Sequence, residues 1–143
     1  MITFRRWLLM HSCLSMALLA GCGGPEPPPR ASVKGSVTWE GAPIKSGTIT
    51  CVPIGDTQGS PTSAIVRDGE YALDLASGPM VGVNRIEIIA NRETGETIPA
   101  VPPATGEIRK VEQFIPSKFN QSSSLEQDVA VGDNEFDFDL TAK

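Results

Sequence analysis

The sequence predicts an all-β protein, a seven-stranded antiparallel β-sandwich. Short segments of alternating apolar and polar residues recur along the chain, which is the period of a half-buried strand. Clusters of Gly, Pro, Asp and Asn separate these segments, as turns do. Beyond the N-terminal region no segment has the period of an amphipathic helix. The predicted strands are residues 33–39, 48–52, 62–67, 70–75, 83–90, 125–131 and 135–141. Seven short strands with regularly spaced turns favour two packed antiparallel sheets.

The first strand is followed by residues that predict a chain reversal. Apolar and polar residues alternate as far as Trp39, and then Gly41 supplies backbone freedom while Pro43 fixes φ. We therefore expect strand 33–39 to fold back on strand 48–52 as a hairpin.

Asp68 and Gly69 predict a second hairpin, because Asp-Gly between two alternating runs is the strongest short-range signal of this kind. On its second strand we expect Tyr71, Leu73 and Leu75 to face the core. Two later strands also have one apolar face. Its members are Ile86, Ile88 and Ala90 in the fifth strand and Phe136, Phe138 and Leu140 in the seventh.

The N-terminal residues resemble a bacterial lipoprotein export signal. Arg5 and Arg6 precede an apolar run, residues 7–19, that is short for a membrane span. The run ends in the cleavage motif Leu19, Ala20, Gly21 and Cys22. The resemblance implies acyl chains on Cys22, cleavage just before it and stable membrane anchoring. Gly23 after the cysteine implies release to the outer membrane, on either its periplasmic or its surface face.

Three regions follow from this interpretation: a signal peptide (1–21), a lipidated cysteine with a Pro-rich tether (22–31) and one β-sandwich domain (32–143). Cleavage leaves 143 − 21 = 122 residues, enough for one domain with a core. The formal charge becomes −7, from 10 basic and 17 acidic residues. This acidic balance argues against nucleic acid and against anionic lipid headgroups as partners.

The cleaved chain lacks the residues of common catalytic sites, so we expect no enzyme. The one histidine, His11, leaves with the signal, and Ser46, Ser63 and Ser117 therefore have no base from histidine to activate them. Cys51 has no partner for a disulfide, and we expect a buried, inert thiol. Without His and Cys ligands we expect no zinc or copper and no cofactor.

Alternate carboxylates near the C-terminus raise calcium as an alternative. They are Asp133, Glu135, Asp137 and Asp139. Every second residue of a strand is about 7 Å apart, so these groups do not converge, and we favour a solvated face.

Residues 91–120 do not fit the alternating pattern. Their prolines and weak alternation, except around Ile108 and Val111, predict mostly loop with one short edge strand. The candidate binding residues here are Arg109, Lys110 and Lys118, the most basic part of an acidic chain. The alternative is a solvated insertion whose Phe114, Ile115 and Phe119 pack on the sheet edge. Trp39 is the other candidate, either stacking on a sugar or capping the core.

Four short motifs resemble carboxypeptidase regulatory-like domains. They are Val33-Lys34-Gly35-Ser36-Val37, Gly41-Ala42-Pro43-Ile44, Gly47-Thr48-Ile49 and Asp68-Gly69-Glu70-Tyr71-Ala72-Leu73. The resemblance implies a transthyretin-like (prealbumin-like, Ig-like) sandwich and a role in folding support, display or binding. The motif before the fifth strand departs from the pattern at residues 82–85. The histidines and C-terminal motif of the related hydroxyisourate hydrolases are absent from the cleaved chain.

The function expected from the sequence is that of a non-catalytic, lipid-anchored envelope protein. It would contact a protein or glycan partner through residues 91–120 or a sheet edge. The alternative is a module that binds a small ligand, carbohydrate or calcium.

Overall fold

The computed structural model describes residues 29–143, so the signal peptide, Cys22 and most of the tether lie outside the described residues. The all-β prediction is confirmed for this part of the chain, where the only helical element is one 3-10 turn, Ser117–Phe119. The strands are β1 (Ser32–Trp39), β2 (Ala42–Pro43), β3 (Ser46–Pro53), β4 (Thr62–Arg67), β5 (Glu70–Leu73), β6 (Gly82–Pro99), β7 (Glu107–Gln113), β8 (Glu126–Val129), β9 (Asp133–Glu135) and β10 (Phe138–Leu140). Within residues 29–143, no helix is long and apolar enough to cross a membrane.

Hydrogen bonds join the strands in the order β10-β1-β5-β4-β3-β6-β7, with β2 and β9 also on β1 and β8 also on β6. Most pairs are antiparallel, but β9 and β10 run parallel to β1. The described residues thus form ten strands where the sequence predicted seven. The additions are β2, β7 and the division of the last predicted strand into β9 and β10.

The first predicted hairpin is wrong in its partner. Glu40 (φ 50°) and Gly41 (φ 78°) form the tight turn, but it returns the chain only to the two-residue strand β2. Ile44 is 3 % exposed, and burying it turns the chain inward after β2. The following strand, β3, therefore pairs with β4 and β6, not with β1.

The second predicted hairpin is confirmed. Asp68 and Gly69 both have positive φ, 49° and 87°, which a two-residue hairpin turn requires. Tyr71 and Leu73 are buried as expected, but Leu75 is 60 % exposed. β5 ends at Leu73 because the next residues form a turn, where the Asp74 carboxylate accepts hydrogen bonds from the Ser77 amide and hydroxyl at 2.8 and 2.7 Å.

One apolar cluster forms the core. Ile86, Ile88 and Ala90 lie in it, as predicted. Its other members are Ala31, Val33, Val37, Ile44, Ile49, Cys51, Ala64, Val66, Tyr71, Leu73, Ile115, Val129, Phe138 and Leu140. The residues between these positions on each strand are more exposed, so each central strand buries one face.

The domain begins before residue 32, which corrects the predicted end of the tether. Ala31 is fully buried, and its amide donates to the Pro79 carbonyl at 3.0 Å. The Val81 amide donates to the Pro29 carbonyl at 2.9 Å. Residues 29–31 therefore belong to the folded body.

A close backbone crossing separates β9 from β10. A Cβ built on Gly35 would lie 1.9 Å from the Phe136 carbonyl oxygen, so only glycine fits there. The Tyr71 hydroxyl donates to the same oxygen at 2.8 Å. The chain passes over β1 at Phe136 and then continues beside it as β10.

Residues 91–120 are not mostly loop. β6 continues from the core to Pro99 and pairs with β7, which contains the expected edge strand around Ile108 and Val111. We call residues 91–113 the arm. The sequence pattern missed this hairpin because both faces of the arm meet solvent, so no apolar face marks it.

Candidate interaction surface

The arm is a two-stranded hairpin whose residues are exposed on both faces. Only Thr94 and Ala100 are part-buried, and all seven residues of β7 are exposed. The tip is closed by the Ala100 amide, which donates to the Gly106 carbonyl at 2.9 Å. A bulge between Glu93 and Thr97 shifts the register of β6 against β7. A free two-stranded hairpin is marginal in water, so the arm depends on its continuity with the sheet through β6.

Cross-strand ion pairs hold the arm's charged side chains. Arg92 contacts Glu112 at 2.7 Å, Arg109 contacts Glu93 at 2.6 Å and Lys110 contacts Glu96 at 2.8 Å. The hydrogen bond to Glu93 raises the pKa of Arg109 above its ordinary value, so this cation stays charged. Exposed pairs like these are screened by water and salt and contribute little to the free energy of unfolding. They fix the arm's geometry more than they stabilise the domain.

Apolar side chains lie among these charges. Ile98 and Ile108 face each other across the two strands, and Val111 stands opposite Glu93. The exposed fractions are 41 % for Ile98, 48 % for Ile108, 59 % for Val111 and 76 % for Val101. The basic residues of the arm were predicted as binding candidates, but these apolar residues were not. The sequence signal for them was the alternation around Ile108 and Val111.

Trp39 lies at the base of the arm and packs against the core. Its ring meets Phe114 and Phe119 edge-on, with centroid distances of 6.0 and 6.5 Å. Arg92 lies over the Phe114 ring at 5.3 Å and Lys118 over the Phe119 ring at 4.8 Å. Edge-to-face pairs and cation–π contacts favour this arrangement. The packing agrees with the capping role considered for Trp39.

The predicted binding residues do not form one patch. Arg109 and Lys110 are neighbours on β7, so they point to opposite faces of the arm. Lys118 lies at the base, where its ammonium group donates to the carbonyls of Ala142 and Lys143. The structure therefore gives a surface of mixed charge with exposed apolar side chains.

The C-terminal carboxylates each meet a side chain of β1. The parallel register brings Asp133 to Ser32, Glu135 to Lys34, Asp137 to Ser36 and Asp139 to Thr38. Asp137 accepts hydrogen bonds from the Ser36 amide and hydroxyl, both at 2.7 Å, and these bonds lower the pKa of Asp137. Among residues 29–143 no group of three or more His, Cys, Asp or Glu side chains is placed to hold a metal ion.

The side chains considered for nucleophilic catalysis lie apart. Cys51 is 2 % exposed, and burial raises the pKa of its thiol to about 11. Such a thiol is protonated at neutral pH and does not act as a nucleophile. The Ser63 hydroxyl lies 2.9 Å from the Thr50 hydroxyl, whereas Ser46 and Ser117 are exposed. The partner of Ser63 is thus another hydroxyl, which does not serve as a base.

A second open surface lies on the solvent face of β1, β4 and β5. It is a shallow depression of about 890 Å³, with Ser36, Ile65 and Glu70 in its lining. Ile65 is 59 % exposed there, and charged side chains surround it. Unlike the arm, this depression does not protrude from the body. It also has no unpaired strand edge, because β1, β4 and β5 are each paired on both sides.

A scan against protein-family models, a search of curated proteins and a search of solved structures found no match to this chain.

Proposed function

We propose that this chain is a non-catalytic, lipid-anchored protein of the cell envelope, displayed at the outer membrane, that contacts a partner through its arm. The observation that carries the proposal is the arm itself. It presents solvent-exposed apolar side chains on a hairpin that packs against no other part of the described chain along residues 94–110. Ile98 and Ile108 lie side by side across the two strands, and grouped exposed apolar side chains, unlike single ones, mark contact surfaces.

Support for the anchor comes from the sequence. The motif ending in Cys22 is followed by a Pro-rich segment, and the folded body begins at residue 29. The prolines among residues 23–28 favour the extended polyproline conformation, in which six residues at roughly 3 Å each would span about 2 nm. This length would hold the body just above the membrane surface and leave the arm free to reach a partner.

The finer fold assignment, a transthyretin-like sandwich of the carboxypeptidase regulatory-like type, is part of the same proposal. It is supported by the single core cluster, to which β10 and β1 at one end of the sheet order and β3 and β6 toward the other end contribute. A sheet that buries one continuous face must curl or fold upon itself. A binding or display role is what the resemblance implies for such a domain.

The anchor is tested with Cys22→Ser. We expect this variant to incorporate no labelled palmitate and to keep its signal peptide, because the acylated thiol is gone. Cys13→Ser is the matched control, since Cys13 leaves with the signal, and it should label normally. Normal labelling and processing of Cys22→Ser would refute the anchor.

The contact surface is tested with a chain that carries Ile108→Asp and Val111→Asp. Charges at these exposed positions leave the core untouched and should abolish co-purification of the partner from solubilised membranes. The matched control carries Leu75→Asp and Val131→Asp, two exposed apolar residues away from the arm, 60 % and 76 % exposed. Equal recovery of the partner with both chains would show that the arm is not the surface.

The carbohydrate or calcium alternative stays a prediction. Glycan binding lost in Trp39→Ala, or calcium-dependent stabilisation lost in Asp137→Asn, would favour it. We expect neither outcome, because Trp39 packs against the core and the carboxylates have separate partners on β1.

A further inference from the structure

The outer edge of β7 presents unpaired backbone groups. β7 is the last strand in the sheet order, with β6 on its inner side and no described strand on its outer side. The Phe114 amide donates to the Ala90 carbonyl at 3.2 Å, so the backbone of Phe114 points toward β6. Because successive residues of an antiparallel strand alternate in direction, the backbone groups of Gln113, Val111 and Arg109 point away from β6.

This edge has only one of the usual protections of an edge strand. Natural edges are protected by prolines, bulges, charged side chains or a covering segment. Of these, β7 has only the charged side chains. In the arm, the bulge lies on β6, between Glu93 and Thr97, and β7 itself is continuous and free of proline. The cations Arg109 and Lys110 are paired with glutamates of β6.

We propose that β7 pairs with β7 of a second copy of this chain, antiparallel and with Val111 opposite Val111. The two arms then form one four-stranded sheet. This inference rests on the proposed role of the arm as a contact surface and names its partner.

Charge selects this register. A two-fold axis places one residue opposite its own copy. With the axis at Arg109, Lys110 or Glu112, like charges would face each other, which is destabilising. With the axis at Val111, Lys110 stands opposite Glu112 twice and Arg109 stands opposite Gln113 twice. An axis at Ile108 would place Glu107 opposite Arg109, which has the opposite charge. However, only three residues of β7 would then pair with the other copy, whereas five pair when the axis lies at Val111.

The existing ion pairs extend across the proposed junction. Within one copy, Glu112 contacts Arg92 and Lys110 contacts Glu96. The row across the four strands would therefore read Arg92, Glu112, Lys110, Glu96, with alternating sign throughout. At the axis the two Val111 side chains would cover each other, which removes exposed apolar surface from water.

Disulfide trapping in membranes tests the pairing with the full-length chain carrying Val111→Cys. Directly opposed residues of a hydrogen-bonded antiparallel pair have Cα atoms about 5.5 Å apart, within the range of a disulfide. We expect a disulfide-linked dimer under mild oxidation on a non-reducing gel. The control is Val101→Cys, which is 76 % exposed at the tip of the same arm but far from the axis. It should give at least tenfold less dimer, and buried Cys51 should give none.

Charge reversal separates the proposed contact from the arm's own ion pairs. Lys110→Glu in the Val111→Cys chain should lower the dimer yield about tenfold, because the introduced carboxylate of one copy would stand opposite Glu112 of the other. Adding Glu112→Lys should restore the yield, since the pair between copies is remade with reversed sign while the pairs to Glu96 and Arg92 stay broken.

Several outcomes would overturn the self-pairing. One is equal dimer from both cysteine variants. Another is no dimer from Val111→Cys although its thiol reacts with maleimide. A third is a dimer yield for the double charge variant that is no higher than the yield for the single charge variant. An adduct whose mass is not twice that of the chain would identify a different partner at this edge; it would overturn the self-pairing and leave the proposed function standing. Normal labelling and processing of Cys22→Ser would instead refute the anchor and with it the proposed function.

Discussion

The two halves of β6 lie in different environments on one continuous strand. From Gly82 to Ala90 the strand pairs first with β8 (residues 82–85) and then with β3 (residues 84–90). Asn84, Ile86, Ile88 and Ala90 are buried, while the residues between them are not. From residue 91 to 99 it pairs only with β7, and nearly every residue is exposed. Backbone pairing thus continues where burial stops. The body is held by its core, whereas the arm is held by its ladder and its ion pairs.

Ile88→Ala and Ile98→Ala compare the two halves directly. Ile88 is fully buried, and removing its side chain should lower the free energy of unfolding by about 3 kcal/mol. Ile98, which is 41 % exposed in the arm, should cost less than about 1 kcal/mol when truncated, because little buried surface is lost. Urea denaturation followed by circular dichroism measures both. Equal losses would mean that the arm is part of the cooperative core.

Two glycine substitutions compare the body and the arm again, this time through backbone strain: Gly35→Ala in the body and Gly95→Ala in the arm. A Cβ at Gly35 would meet the Phe136 carbonyl oxygen, a backbone atom that cannot move aside, and we expect a loss of about 2–3 kcal/mol. At Gly95 in the arm nothing lies within 4 Å of the added atom, and the positive φ of 84° alone should cost about 1 kcal/mol. Thermal unfolding ranks the two variants. A larger loss at Gly95 would contradict the described crossing of β1 by residue 136.

The sequence predicted the body better than the arm, for the same physical reason. Period-two alternation requires one buried face, and it found β4, β5 and the first half of β6. In the arm it indicated only a short strand around Ile108 and Val111 and missed the pairing of β6 with β7, because the residues of β7 are exposed on both faces. It also placed Leu75 inward, because alternation does not show where a strand ends in a turn.

The long-range strand pairing could not be predicted from the sequence either. β9 and β10 lie parallel to β1, about a hundred residues away along the chain, and no local signal fixes that register. The acidic residues of the last strand were recognised, but their partners Ser36 and Lys34 were not. In the arm, Arg109 and Lys110 were recognised as candidates, but the bulge of β6 decides which glutamate each one meets.

The smallest expected effect concerns acid stability. The Ser36 hydrogen bonds lower the pKa of Asp137, so the unfolded chain takes up its proton at a higher pH than the folded chain does. Their stabilising contribution is complete above the ordinary carboxyl pKa of about 4 and is lost as the pH falls through the lower folded value. Ser36→Ala should therefore flatten the fall of the unfolding temperature below about pH 4. Thr97→Ala, which removes a hydroxyl donor in the arm, is the matched control and should leave that fall unchanged, because it leaves the hydrogen bonds of Asp137 intact. The same flattening in both variants would mean that the ladder beside β1 contributes no more to acid stability than the arm does.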